Sequence, residues 1–270
     1  MSAKKILFIT TEIAPYLDET EMSVIARQLP QGIQDRGKEI RTFMPKFGAI
    51  NERRNQLHEV IRLSGMNLII DDTDHPLVIK VASIQSARMQ IYFIDNEDFF
   101  HRKTLLFGED GNDFIDNDER SIFYVRGVME TVKKLRWAPD LIHCHGWITA
   151  LTPLYIKKYY SSDPCFRNTK VVYSVYNDDF KLPFRENFAR KAKLEGVEDE
   201  DLKPILTVAD FETVSQLAID FSDGVIQGSP SIHEGVKQYA QNKGVPFLEY
   251  HPKETYIDAF NDFYDQILSK

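Results

Sequence analysis

The chain has 270 residues, of which 43% are hydrophobic and 27% are charged, a composition typical of a soluble globular protein. Its formal net charge of −8 argues against nucleic acid as a partner, because binding to a phosphate backbone needs a positive field. Two cysteines are too few for a disulfide framework, the longest uncharged run (residues 141–156) is shorter than a membrane span, and the apolar run after Lys5 is too short for a secretory signal. We therefore expect a cytoplasmic protein that contacts neither nucleic acid nor membrane.

The first element is a strand at residues 6–9, followed by a loop and by a helix that ends near Gly37. A strand, loop and helix at the start of an α/β chain usually form a phosphate site, whose loop needs glycines for close backbone approach. The loop from Tyr16 to Ser23 has no glycine and three carboxylates, Asp18, Glu19 and Glu21. Each carboxylate stabilises the helix that follows by a favourable interaction with the helix dipole. Each would also repel a phosphate ~4 Å away by about 4 kcal/mol at an effective dielectric near 20.

The rest of the chain alternates between strand and helix patterns. Apolar or β-leaning runs predict strands at residues 39–44, 58–65, 77–84, 89–95, 140–145, 170–177, 223–229 and 245–250. Helical patterns cover residues 117–132, 147–160, much of 184–220, 231–242 and 253–269. The alternation predicts a Rossmann-like, doubly wound, mostly parallel α/β sheet. Three consecutive β runs within residues 57–95 predict a meander inserted in that sheet.

No proline- or glycine-rich linker divides the chain, so we predict one domain over residues 1–270. Its last helix, residues 253–269, carries an apolar stripe of Phe260, Phe263, Tyr264 and Ile267. An isolated helix of this length is marginal in water, and an exposed stripe would be a sticky surface. We therefore expect this helix to pack back on the domain.

The most informative polar residues are two histidines at the end of a predicted strand. His143 and His145 share one face of that strand, and its carboxyl end is where open α/β sheets place ligands. A metal site would need a third ligand, but Cys144 faces the other way. Hydrogen bonding within the fold and contact with a polar ligand both remain open. The acidic run at residues 107–120 lacks the spacing of a calcium loop, so we expect no metal and no cofactor.

Several segments, in order, resemble one enzyme family. They are KKILFITTEIAPY (4–16), LPQGIQDRGKEIRTFMPKFGAI (29–50), the run from FGEDGND to PLYIK (107–157), KVVYSVYN (170–177) and FSDGVIQGSPSIHEGV (221–236). Together they resemble the N-terminal, acceptor-side domain of bacterial glycogen synthases and plant starch synthases, glycosyltransferase family 5. The resemblance implies one half of a GT-B fold, in which two Rossmann-like domains face each other. It also implies transfer of glucose from ADP- or UDP-glucose to an α-1,4-glucan.

The chain departs from this family at the residues that carry its chemistry. The family's first loop is K-T/V-G-G-L, whose lysine falls on Asp18 and whose glycines fall on Thr20 and Glu21. The family's D-W-H becomes Gly146, Trp147 and Ile148; the histidine of its I-H-N becomes Tyr176, and Asn177 remains. Only about 35 residues follow the last matched segment, so the donor-binding domain is expected to be absent.

These departures predict a catalytically degenerate relative with no catalytic residue of its own. We expect ligand contacts at His145, Trp147 and Asn177, with an α-glucan or oligosaccharide as ligand, or a regulatory role with a protein partner. One alternative is a glucosyltransferase completed by a separate chain that carries the donor domain. The acidic loop argues against it, because a partner cannot restore a lysine and two glycines here. The other alternative is an unrelated small-molecule-binding α/β domain.

Overall fold

The computed structural model describes residues 3–270, which form one continuous sheet with helices on its faces. Its ten strands are β1 (Lys5–Ile9), β2 (Glu39–Pro45), β3 (His58–Glu59), β4 (Met66–Ile70), β5 (Thr73–Ile84), β6 (Met89–Asp95), β7 (Leu141–His145), β8 (Lys170–Val175), β9 (Gly224–Gln227) and β10 (Phe247–Leu248). Their spatial order is β10-β9-β8-β7-β1-β2-β6-β5-β3, with β4 paired to β5. All neighbours from β10 to β6 are parallel, which confirms the predicted mostly parallel α/β sheet.

The α-helices of the described residues are α1 (Glu21–Asp35), α2 (Glu97–Phe100), α3 (Asn117–Leu135), α4 (Thr152–Lys157), α5 (Phe188–Ala192), α6 (Phe211–Asp220), α7 (Glu234–Lys243) and α8 (Tyr256–Leu268). Two predicted helical stretches are shorter than expected. Pro153 lies in the first turn of α4, where its missing N–H is tolerated, so the helix begins at Thr152 rather than near Trp147. Residues 184–220 contain only α5, a short 3-10 turn and α6, separated where Gly196 has a φ of +81°. Among the residues from Ala3 onward, no helix is both long enough and apolar enough to cross a membrane.

The inserted β segment contributes the antiparallel part of the sheet. β5 pairs antiparallel with β6, and β6 pairs parallel with β2, so this segment widens the central sheet directly. The predicted run at 58–65 shortens to β3, and the unpredicted β4 turns back onto β5 through Asp71, which has a φ of +55°.

The helix α8 packs on one face of the central strands. Its buried side chains share an apolar cluster with residues of β1, β7, β8, β9 and α1; they are Tyr256, Phe260, Phe263, Tyr264 and Ile267. Two glycines make room for it: a Cβ atom on Gly32 would lie 2.5 Å from Ile257, and one on Gly224 would lie 2.9 Å from Phe263. An ion pair of 3.0 Å between Lys38 and Asp265 adds a polar contact at its rim.

Candidate functional site

A large cavity lies at the carboxyl edge of the sheet, beyond β1, β2 and β6. It is a cleft of about 920 Å³, and three loop segments line it: residues 12–20 after β1, 49–55 after β2, and 103–107 after α2. Because these three strands run parallel, their following loops meet at one edge although they are far apart in sequence. This is the position that open α/β sheets use for ligands.

The cleft lining is mixed in chemistry and balanced in charge. Glu12 and Asp18 supply two carboxylates, and Arg54 and Lys103 supply two cations. Thr20 donates a hydrogen bond of 2.6 Å to Glu12. Burial raises the pKa of the Glu12 carboxyl, and the Thr20 hydrogen bond offsets only part of that rise.

Aromatic and aliphatic side chains complete the wall of the cleft. Tyr16, Leu17, Leu105, Leu106 and Phe107 lie along it. The Tyr16 ring packs edge-on against Phe93 at 5.0 Å, and burial raises the pKa of its hydroxyl to about 12. This part of the wall is therefore fixed by the core, with neutral and apolar faces beside the charged groups.

The N-terminus of α1, which borders the cleft, is closed by groups of the chain itself. The Thr20 side chain accepts from the Ser23 backbone N–H at 3.0 Å, and the Ser23 hydroxyl accepts from the Thr20 N–H at 2.8 Å. This reciprocal capping box satisfies two donors that an anion would otherwise approach. Glu21 follows at the first helical position, where its carboxylate accepts a hydrogen bond of 2.6 Å from Ser229.

The structure buries His145 at the end of β7. Its Nδ1 lies 2.7 Å from the Tyr176 hydroxyl, whereas its Nε2 is enclosed without a hydrogen-bond partner. Burial lowers the pKa of His145 to about 3, so the ring is neutral. Neighbouring His143 has both nitrogens engaged, with Ser174 and with Tyr264 of α8, each at 2.6 Å. Both histidines therefore belong to a buried polar network that reaches from β8 to α8.

Trp147 and Asn177 lie at the same edge as His145 but in different surroundings. Trp147 is buried, with its ring 5.0 Å from Phe180. Asn177 is exposed, and its backbone N–H donates to the Ser229 hydroxyl at 3.2 Å. The predicted residues His145, Trp147 and Asn177 thus come together at the ends of β7 and β8, and none of them lines the cleft.

Asp178 is a further acidic residue at this edge that the sequence patterns did not single out. Its Oδ2 accepts from the Trp147 N–H at 3.3 Å, while its Oδ1 is enclosed without a partner. Burial raises the pKa of this carboxyl to about 7, and the nearby charge of Asp179 adds to the effect. A Cβ atom on Gly146 would lie 2.5 Å from Asp178 Oδ2, so this carboxylate fills the space beside the glycine.

The family model of the starch synthase catalytic domain matches residues 5–246. The chain belongs to the starch synthase catalytic domain family. The match covers all strands from β1 to β9, and with them the cleft and the buried histidines.

Curated relatives of this chain include bacterial glycogen synthases. The glycogen synthase of Chlorobium chlorochromatii is 39% identical over 174 residues, which are 64% of this chain and 36% of the relative. That of Chlorobium phaeovibrioides is 31% identical over 249 residues, or 88% of this chain and 48% of the relative. The catalytic domain of starch synthase IV from Arabidopsis thaliana, solved with ADP and acarbose, has a similar fold, with a TM-score of 0.75. The two sequences are 18% identical, and the alignment covers 92% of this chain and 51% of that domain. The chain thus spans about half or less of the length of these relatives.

Proposed function

We propose that this member of the family is a non-catalytic saccharide-binding protein of glucan metabolism, which holds an α-glucan oligosaccharide and does not transfer glucose. The observation that carries the proposal is the closed N-terminus of α1. Its capping box and the carboxylates of Asp18, Glu19 and Glu21 occupy the loop in which the family has a lysine and two glycines. The diphosphate of a sugar nucleotide would be repelled by these carboxylates, and the Thr20 and Ser23 N–H groups there already donate hydrogen bonds within the chain.

The cleft favours a neutral, polyhydroxylated ligand. Its volume of about 920 Å³ falls in the range that holds small ligands. Two carboxylates and two cations leave its lining with no net charge, which suits sugar hydroxyls better than a diphosphate. The apolar faces of Leu105 and Leu106 suit the non-polar face of a pyranose ring.

The residues at the ends of β7 and β8 are proposed as the second part of the ligand site. Asn177 is exposed and has a free side-chain amide for a sugar hydroxyl. His145 and Trp147 lie behind it in the core, so we propose that they shape the floor of the site. Density for a maltooligosaccharide at the inserted β segment alone, residues 57–95, would count against this placement.

Titration calorimetry with the full chain tests the proposal. Maltoheptaose is expected to bind with a dissociation constant on the order of 0.1–1 mM, or about −4 to −5.5 kcal/mol. ADP-glucose and UDP-glucose are expected to give no heat, and no glucose is expected to be incorporated into glucan. A dissociation constant for ADP-glucose near about 10 µM, or about −7 kcal/mol, would refute the nucleotide part of the proposal.

Two pairs of variants locate the saccharide. Lys103→Ala and Arg54→Ala remove cleft cations and are expected to weaken maltoheptaose binding by about 5- to 10-fold, as the loss of a hydrogen bond of about 1–1.5 kcal/mol implies. Lys253→Ala and Arg62→Ala remove exposed cations outside the cleft and serve as matched controls. Equal effects of both pairs would show that the cleft does not hold the saccharide.

A further inference from the structure

Exposed apolar side chains of this protein are concentrated on one surface. Seven large hydrophobic residues of the described chain are exposed, and five of these come from three loops. The five are Phe107, Ile115, Leu182, Leu206 and Val208, which together we call the loop patch. Single exposed apolar residues need no explanation, but such a concentration marks an interaction surface.

Hydrogen bonds to the backbone hold the three loops side by side. The backbone N–H groups of Lys181 and Leu182 donate to the Asp113 carboxylate at 2.7 and 3.0 Å. The Phe184 N–H donates to the carbonyl of Ala209 at 2.9 Å. The loops at 107–115, 180–185 and 206–209 therefore form one continuous surface.

The loop patch has both a projection and a recess. Ile115 is 76% exposed and stands beside a pocket of about 250 Å³. Phe114, Phe180, Pro183 and Phe184 line this pocket, so its wall is mainly apolar. An aliphatic side chain inserted there would be the kind of buried anchor on which interfaces depend.

The area of the loop patch fits the apolar core of an interface of standard size. Five side chains that are roughly half exposed present on the order of 400–500 Å² of apolar surface, which is the size of the largest apolar patch on a typical monomer, a patch that is often functional. Each partner of a stable complex buries about 800 Å², of which about 60% is apolar. The loop patch alone supplies that apolar fraction.

We propose that the loop patch is a self-association surface, on which a second copy of this chain docks about a two-fold axis. A two-fold contact joins the same surface of both copies, so that surface must offer projection and recess together. Ile115 of one copy would then enter the pocket of the other. Each chain carries a net charge of −8, so mutual repulsion opposes the encounter and added salt strengthens the dimer.

Sedimentation velocity of the full chain over about 1–100 µM tests the proposal. The expected result is a monomer of 31.3 kDa that shifts to twice this mass as concentration rises, with a lower dissociation constant in about 0.5 M salt than in 0.05 M. Ile115→Glu and Leu182→Glu are each expected to raise that dissociation constant by about 30- to 100-fold.

Ile61→Glu is the matched control, because Ile61 is 83% exposed and follows β3 at the far edge of the sheet. It is expected to leave the dimer unchanged, and thermal melting of all three variants checks that they are folded. A monomer throughout the concentration range would overturn the proposal. A dimer that persists in Ile115→Glu and Leu182→Glu, or that is lost equally in Ile61→Glu, would overturn it as well.

Discussion

Removal of α8 is expected to unfold the protein. A chain that ends at Pro252 lacks the five buried side chains of α8, four of which are aromatic. At about 1.5–3 kcal/mol for each buried side chain, the lost stabilisation is on the order of 7–15 kcal/mol. That is comparable to the whole net stability of a domain, about 5–15 kcal/mol. The truncation also uncovers Phe8 and the rest of the apolar cluster under α8, so the product should aggregate as well as unfold.

The expected product is one that elutes in the void volume on gel filtration and shows no cooperative melting. A graded variant keeps the experiment quantitative: Phe263→Ala removes one aromatic ring and should lower the free energy of unfolding in urea by about 3–5 kcal/mol. Phe107→Ala is the control, because that ring is 53% exposed. A truncated chain that is monomeric and melts within about 2 °C of the full chain would show that α8 is dispensable and that the one-domain proposal for residues 1–270 is wrong.

Three further variants test single contacts. Gly32→Ala should lower the free energy of unfolding by about 1–3 kcal/mol, because its Cβ would press on Ile257, and Ile257→Ala should relieve the clash without restoring full stability. Tyr264→Phe should cost about 1–3 kcal/mol, because it leaves His143 Nδ1 buried without a partner; an unchanged urea midpoint would contradict this. Burial raises the pKa of Asp178 in the folded state to about 7, whereas an aspartate in the unfolded chain has a pKa near about 4. Between about pH 4 and 7 the folded state therefore binds a proton at Asp178 and the unfolded state does not. Its contribution to stability should therefore fall as pH rises through that window, and Asp178→Asn should remove this slope from urea unfolding measured at pH 5 and pH 8.

The sheet could be predicted because its strands carry strong local patterns. The runs that form β1, β7 and β8 are mainly apolar and almost fully buried, as is typical of strands covered on both faces. β4 was missed because its sequence does not alternate between apolar and polar residues as its burial does, since the exposed Ile69 is apolar, and because the turn at Asp71 lacks an Asn-Gly or Asp-Gly signal.

The candidate site was less accessible to sequence reasoning than the sheet. The end of β7 could be recognised from its histidines. Their enclosure could not, because it depends on Tyr176 and on α8, which is more than 100 residues away in sequence. The cleft joins three loops that no local pattern links. Asp178 gains its importance from its burial and from its position beside Gly146, and this proximity is not visible in the sequence.

The space shared by Gly146 and Asp178 limits whether position 146 can carry an acidic side chain, which the motif of the resembled family has there. Gly146 has a φ of +76° and a ψ of +172°, a backbone conformation that is essentially restricted to glycine. An aspartate introduced there would be strained by the backbone and would also collide with Asp178. Replacement of Asp178 removes that collision, but it leaves the backbone strain and a close contact of 2.7 Å between the new Cβ atom and Met22 Cε. A single substitution of aspartate for Gly146 is therefore blocked, and this loop must change its conformation before it can accept the side chain.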